Sequence, residues 1–189
     1  MRKIAILGAG ESGTGAALLA HAQGYQVFVS DKNSIPPSYQ QQLLENGISF
    51  EEGGHSWDKI KEADEIIKSP GVPNEVPIIQ AIKAASIPII DEIEFASRYT
   101  NAFLIGITGS NGKSTTTQLT YHLLKSAGLD VGLAGNIGQS FAKKVWLENH
   151  TYYVLELSSF QLEYVHKFKL NIGCILNITP DHLDRYHQQ

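Results

Sequence analysis

Short apolar runs recur along this chain, each followed by a glycine-containing turn, a helical stretch and another apolar run. Lys3–Leu7, Gln26–Ser30, Ile48–Phe50, Glu65–Lys68 and Ile87–Ile90 read as strands. Gly13–Gln23, Tyr39–Asn46 and Pro77–Ala85 read as the helices between them. Gly24 and Gly47 stand just past two of these helices, where a left-handed residue closes a helix cheaply. Asp91–Thr100, a short helical stretch and then polar residues, marks a candidate boundary. After it the pattern restarts, with strands at Phe103–Thr108, Asp130–Ala134, Tyr152–Leu157 and Ile172–Ile178 and helices at Lys113–Ala127 and Ser140–Leu147. Strands alternating with helices of this length predict βαβ units and a mostly parallel sheet. The reading is an α/β chain in two units, at about 1–93 and 94–189. The second unit shows only four clear strands, and the polar segment Asp181–Gln189 leads into no further element, so a truncated second domain is expected.

Composition narrows the class. Hydrophobic residues make up 42% and charged residues 18%, enough for a packed core. The net charge of −4 offers no basic excess for a nucleic acid, and no partner of that kind is expected. No window reaches the ~20 apolar residues of a membrane span, and the apolar run after Arg2-Lys3 is too short for a signal-peptide core. A soluble, cytoplasmic protein is the expectation. The single cysteine, Cys174, rules out an internal disulfide framework. Its apolar neighbourhood, Ile172–Ile178, predicts a buried small hydrophobe rather than a nucleophile.

Two glycine loops carry candidate chemistry. Thr108-Gly109-Ser110-Asn111-Gly112-Lys113-Ser114-Thr115 follows an apolar strand and opens a helix, the context a phosphate-binding loop requires. Its glycines let backbone N–H groups converge on phosphate oxygens at a helix N-terminus. Lys113 can reach the β- and γ-phosphates of ATP, and the Ser114 hydroxyl can ligate Mg²⁺. The generic expression wants a further glycine where Ile107 stands, so the shorter form Thr-Gly-x-x-Gly-Lys-Ser-Thr is the one met. The other loop, Gly8-Ala9-Gly10-Glu11-Ser12-Gly13, lies between the first strand and first helix, and Asp31 ends the second strand at the spacing of a ribose-binding acid. Any nucleoside diphosphate could use such a turn, NAD among them. Ser69-Pro70-Gly71 follows another strand of the same sheet and is either another wall of that pocket or only a turn.

Further candidates follow strand ends. Glu156 ends Tyr152–Leu157 beside the phosphate loop and could hold a metal, with Mg²⁺ favoured over zinc because no Cys/His spacing is present. Asp181 and His182 follow the last strand at the same edge, and His182 is a second metal candidate. Asn136 either reaches the substrate or caps the next helix.

Taken together, Gly109–Thr115, Leu155–Glu163 and the segment from Asn177 to Tyr186 resemble the Mur ligase family, and the resemblance runs through the whole chain. It implies a Rossmann-like N-terminal domain that binds the UDP part of the substrate, then the first part of a P-loop ATP- and Mg²⁺-binding domain. The string Leu155–Glu163 points within the family to the member that adds D-glutamate to UDP-N-acetylmuramoyl-L-alanine through an acyl phosphate. On that resemblance Gly10, Glu11, Ser12, Gly13, Asp31 and Gly71 serve the uridine diphosphate. Asn136, Ser158, Gln161 and His182 lie along the muramoyl end and the metals. Lys113, Glu156 and His182 are the catalytic set, and Ser114, Glu156 and His182 the metal set. The family's C-terminal domain and carbamylated lysine have no counterpart here, so this polypeptide is expected to bind substrate without completing the ligation. A monomer is the favoured state. An NAD-dependent oxidoreductase would leave the second loop unused, and a non-catalytic nucleotide-binding module would leave the first.

Overall fold

A computed structural model describes residues 1–180; the His182 candidate lies outside the described residues. The first sheet has five parallel strands in the order β3-β2-β1-β4-β5: β1 (Lys3–Leu7), β2 (Gln26–Ser30), β3 (Ser49–Glu51), β4 (Glu65–Lys68) and β5 (Ile89–Ile90). Between them run α1 (Glu11–Ala22), α2 (Pro37–Glu45), α3 (Trp57–Ile60) and α4 (Pro77–Ala84). β1 lies at the centre, with Ile6 opposite Val29 of β2 on one side and Ile67 of β4 on the other. The chain winds outward from β1 to β3 and then returns to β4 across β1. The crevice at the C-terminal ends of β1 and β4 is therefore a switch point, where open α/β sheets bind ligands.

After α5 (Glu92–Ser97), a second sheet of four parallel strands runs in the order β7-β8-β6-β9. Its strands are β6 (Phe103–Thr108), β7 (Val131–Gly135), β8 (Tyr152–Glu156) and β9 (Ile172–Ile175), with α6 (Lys113–Ser126) and α7 (Phe141–Leu147) as crossovers. The fold is thus the expected α/β architecture with two parallel sheets, and the elements agree with the sequence reading to within a few residues. Two departures have clear reasons. The four-residue α3 is too short to show a 3.6-residue period. β9 stops at Ile175 rather than Ile178, because Asn177 turns to hydrogen-bond the phosphate loop.

The sheets share one core. Ile4, Ile6, Val29 and Ile67 of the first sheet pack with α1, and the same cluster continues through Phe95 into Phe141, Tyr153 and Leu155 of the second. On the other face of the first sheet, Ala5, Leu7, Ile66 and Ile89 pack against Ile78, Ile79 and Ile82 of α4. The second sheet is covered less well. Ile107, Val131 and Val154 meet Tyr121 and Leu124 of α6, but all four β9 residues are exposed among the described residues. Cys174 is accordingly exposed, which corrects the expectation of a buried thiol. Apolar composition makes a strand suited to burial, but a neighbouring element must supply the cover, and among the described residues β9 is the edge.

Candidate functional site

The first glycine loop is fixed by short backbone bonds. Gly8 N–H donates to Ser30 O at 2.9 Å and Thr14 N–H to Gly10 O at 2.9 Å. A Cβ at Gly13 would stand 1.8 Å from Gly8 O, so α1 can start this close to β1 only with glycine there. Asp31 braces the loop: Oδ2 accepts from Ala9 N–H at 2.7 Å and Oδ1 from Asn33 N–H at 2.8 Å. Ser12 sits in the first turn of α1. Across the switch point Ser69 Oγ donates to Gly8 O at 3.2 Å, and Gly71 is exposed on that facing turn. Together these segments enclose a cavity of about 870 Å³ whose walls include Gly10, Glu11, Ser12, Asp31 and Gly71. His55, Trp57, Lys32 and Asn33 also line it, and sequence reasoning did not single them out. The available signal was Gly53-Gly54 just after β3, a turn at the same edge of the sheet.

The cavity reaches into the second sheet through Asn136, which follows β7. Asn136 N–H donates to Glu156 O at 2.9 Å, and its Nδ2 donates to Glu156 Oε1 at 2.7 Å. It does not cap α7; Ser140 does, accepting from Lys143 N–H. Glu156 is buried at the end of β8, opposite Ile107 of β6, and its Oε2 has no hydrogen-bond partner among the described residues. A buried carboxylate with one oxygen fixed and the other open suits a hard cation with oxygen ligands, so Glu156 fits Mg²⁺. Ser114, the other metal candidate among the described residues, is exposed in the first turn of α6.

The phosphate loop is held by the segment after β9. Ser110 N–H donates to Asn177 O at 3.1 Å, Asn111 N–H to Asn177 Oδ1 at 2.9 Å, and Asn177 Nδ2 to Asn111 O at 2.9 Å. Lys113 folds back, its Nζ donating to Gly109 O at 2.7 Å and Ser110 O at 3.1 Å. Gly112 precedes α6 in the left-handed conformation, and Thr115 is exposed on the first turn. Two N–H groups that would cradle a phosphate are thus occupied by Asn177, a residue whose latching role no motif announced. Ser158 and Gln161 engage each other in a capping box: Gln161 Oε1 accepts from Ser158 N–H at 3.0 Å, and Ser158 caps the 3₁₀ turn Ser159–Gln161.

Charged groups join the two domains. Glu11 Oε1 accepts from Ser140 N–H at 3.1 Å, and Lys143 lies 3.8 Å from its Oε2. Glu92, fully buried, accepts from Ala142 N–H. Burial pushes its carboxyl up to about 8, with the Ala142 bond opposing and Asp91 and Glu11 adding to the rise. Burial likewise pushes Asp91 up to about 7 against the Glu94 N–H it caps. Glu94 goes the other way: burial favours its neutral form, but the N–H groups of Lys167, His166 and Phe168, and Arg98, hold it below its ordinary value.

Residues 2–91 match the Mur ligase MurD-like N-terminal domain, and residues 107–189 the Mur ligase middle domain. The chain is 58% identical, over 98% of its length, to UDP-N-acetylmuramoylalanine--D-glutamate ligase of Bacteroides thetaiotaomicron. It is 59% identical over 97% of its length to the Porphyromonas gingivalis protein of the same name. The chain spans only 42% and 41% of those relatives. Among solved structures, UDP-N-acetylmuramate-alanine ligase from Thermotoga maritima shares the fold over 100% of this chain and 44% of its own (TM-score 0.63, 24% identity).

Proposed function

The chain belongs to the Mur ligase family, and from that premise we propose that it carries the nucleotide-precursor and ATP sites for joining D-glutamate to UDP-N-acetylmuramoyl-L-alanine. The observation that carries this reading is the Asn136–Glu156 pair. It links a cavity bounded by one glycine loop to the carboxylate beside the other.

In this reading the diphosphate of the UDP substrate lies against the N-terminus of α1, with Gly10, Glu11, Ser12 and Gly13 on one side and Gly71 on the other, and the muramoyl end runs toward Asn136. Ser158 and Gln161 shape the turn beyond Glu156, and His182 is assigned to the metals and the muramoyl end. ATP lies on Gly109–Thr115. Lys113 then exchanges its two carbonyl partners for phosphate oxygens, and Asn177 releases the loop's N–H groups. Glu156, Ser114 and His182 would hold Mg²⁺, which supplies charge screening on the phosphates. A carboxylate is a poor electrophile. Its oxygen attacks the γ-phosphorus, the bond to ADP breaks, and an acyl phosphate forms. The D-glutamate amine then attacks the acyl carbon, loses a proton and expels phosphate. Two anions meet in the first step, so Lys113 lowers the barrier by neutralising their approach. We place the reaction in the cytoplasm, consistent with the lack of any described helix long and apolar enough to cross a membrane.

Calorimetric titration with UDP-N-acetylmuramoyl-L-alanine, UDP and NAD tests the reading. The muramoyl nucleotide and UDP should bind, NAD should not, and D-glutamate-dependent ADP release should be negligible for this chain alone. Binding of NAD in place of both uridine nucleotides would overturn it.

A further inference from the structure

Buried Ser30 joins half-buried Glu51 and His55 in a relay at the wall of the first cavity. Ser30 Oγ lies 2.8 Å from Glu51 Oε1 and 2.7 Å from His55 Nδ1. A hydroxyl has one proton to give. Burial favours the neutral form of Glu51, but Ser56 N–H at 2.7 Å, Ser30 and Lys59 outweigh it and hold the carboxyl below its ordinary value. An ionised carboxylate and the Gly54 carbonyl oxygen, 3.3 Å from Ser30 Oγ, only accept, so the Ser30 proton points to that side, with Glu51 the nearer acceptor. The Ser30 lone pair is then left facing His55, and Nδ1 must be the protonated nitrogen. In the neutral ring this makes Nε2 an acceptor. His55 lines the cavity, and its Nε2 has no hydrogen-bond partner among the described residues. Asp31, the acid expected to meet a ribose, already accepts one backbone N–H on each oxygen, as described above.

We infer that His55 is a specificity-determining residue whose Nε2 accepts a hydrogen bond from a donor on the nucleoside of the bound nucleotide. This rests on the uridine-nucleotide reading of the cavity and deepens it. Two nucleoside groups share the required chemistry: the imide N–H of a uracil and a ribose hydroxyl. Trp57 also lines the cavity.

The ring must be neutral for Nε2 to accept. Burial lowers the His55 value; Asp31 and Glu51 pull it up and Lys32 pushes it down, with lowering the net result. The acceptor is therefore present at pH 7.5, and acidification removes it. Replacing Nε2 with nothing should cost about tenfold in affinity, the scale of one hydrogen bond.

Three measurements decide the matter. Imidazole ¹⁵N shifts of the free protein at pH 7.5 should report the Nδ1–H tautomer of His55; the Nε2–H tautomer would overturn the inference without any ligand. Titrations of the protein and of His55→Ala with UDP, CDP and 2′-deoxy-UDP come next. If the donor is the imide, CDP binds about tenfold more weakly than UDP, and His55→Ala erases the difference. If the donor is the ribose 2′-hydroxyl, that behaviour moves to 2′-deoxy-UDP. The discriminating ratio should also shrink once acid protonates the ring, which burial places below the ordinary imidazole range. UDP binding with ratios independent of His55 sinks the inference and leaves the uridine-nucleotide reading intact. Failure of UDP to bind the unaltered protein sinks both.

Discussion

The two glycine loops follow the same plan, a strand, a tight turn and a helix, yet they stand in different states. The first opens onto a cavity of about 870 Å³ whose walls come from the ends of β1, β2, β3 and β4 and from α4, plus Asn136. The second is closed on Asn177, with Lys113 turned onto the loop's own carbonyls. A loop motif sets the donors; the neighbouring strands decide whether those donors face a cavity or a protein side chain. The first sheet is covered on both faces, whereas β9, which carries the Asn177 latch, is exposed.

The sharpest test of this difference is one methyl group in each loop. Gly13→Ala puts Cβ 1.8 Å from a backbone oxygen that cannot swing away, so the first loop must open. The expected loss is on the order of 3 kcal/mol, or about 6–12 °C in melting temperature for a chain of this size. UDP binding should go with it. Gly112→Ala in the second loop meets nothing nearer than Leu176 Cδ1 at 3.5 Å, so only the left-handed backbone is penalised, by about 1–2 kcal/mol. Thermal melts of the two variants side by side check the ranking. Equal losses would mean that the first loop is no more rigidly seated than the second.

Much of this was legible in the residues. Glycines flanked by an apolar strand and a helix announce a phosphate turn, and the five and four strands emerged from apolar runs alone. What was not legible depended on partners distant in sequence. Nothing near Asn177 says that it will cross to Asn111, and nothing near Cys174 says that its strand lacks cover. Glu11 was read as a substrate contact, but the structure also ties it to Ser140, far along the chain. One signal was missed. Gly13–Ala20 is buried continuously, and a helix with no polar face over two turns needs cover on more than one side. That pattern in Gly13-Thr14-Gly15-Ala16-Ala17-Leu18-Leu19-Ala20 foretold that a second domain would pack on α1.

Gly15 is where that packing is closest, and it offers a test of intermediate size. A Cβ there would fall 2.1 Å from Ser140 Oγ and 3.1 Å from Lys143 N and Cβ. The serine can rotate, but then α7 loses its cap, at a cost of about 1 kcal/mol. Gly15→Ala should therefore lower the melting temperature by about 2–4 °C. Hydrogen exchange should rise in α7 while β1 and β4 keep their protection. Unchanged exchange in α7 would show that α1 and α7 do not lean on each other at this point, and the contrast between the well-covered first sheet and the less covered second would not extend to this junction.

The last test is a pH dependence seated at the same junction. Glu92 and Asp91 carry folded values raised to about 8 and about 7 by burial. A raised carboxyl stabilises the fold at low pH, where both states are protonated. That contribution declines as pH climbs above the ordinary carboxylate range, because the unfolded chain ionises first. The loss is complete once pH passes about 7 for Asp91 and about 8 for Glu92. Glu92→Gln keeps an oxygen for Ala142 N–H but has no charge to bury. Melting temperatures from pH 5 to 9 should converge with those of the unaltered chain at the acid end. At the basic end the variant should melt higher, because its amide has no ionisation to oppose burial. A residual slope should persist from Asp91. Parallel curves would place the ionisation of Glu92 outside the folding equilibrium. The domain junction would then be held by its apolar core, which includes Phe95, Phe141 and Tyr153, rather than by the protonation of its acids.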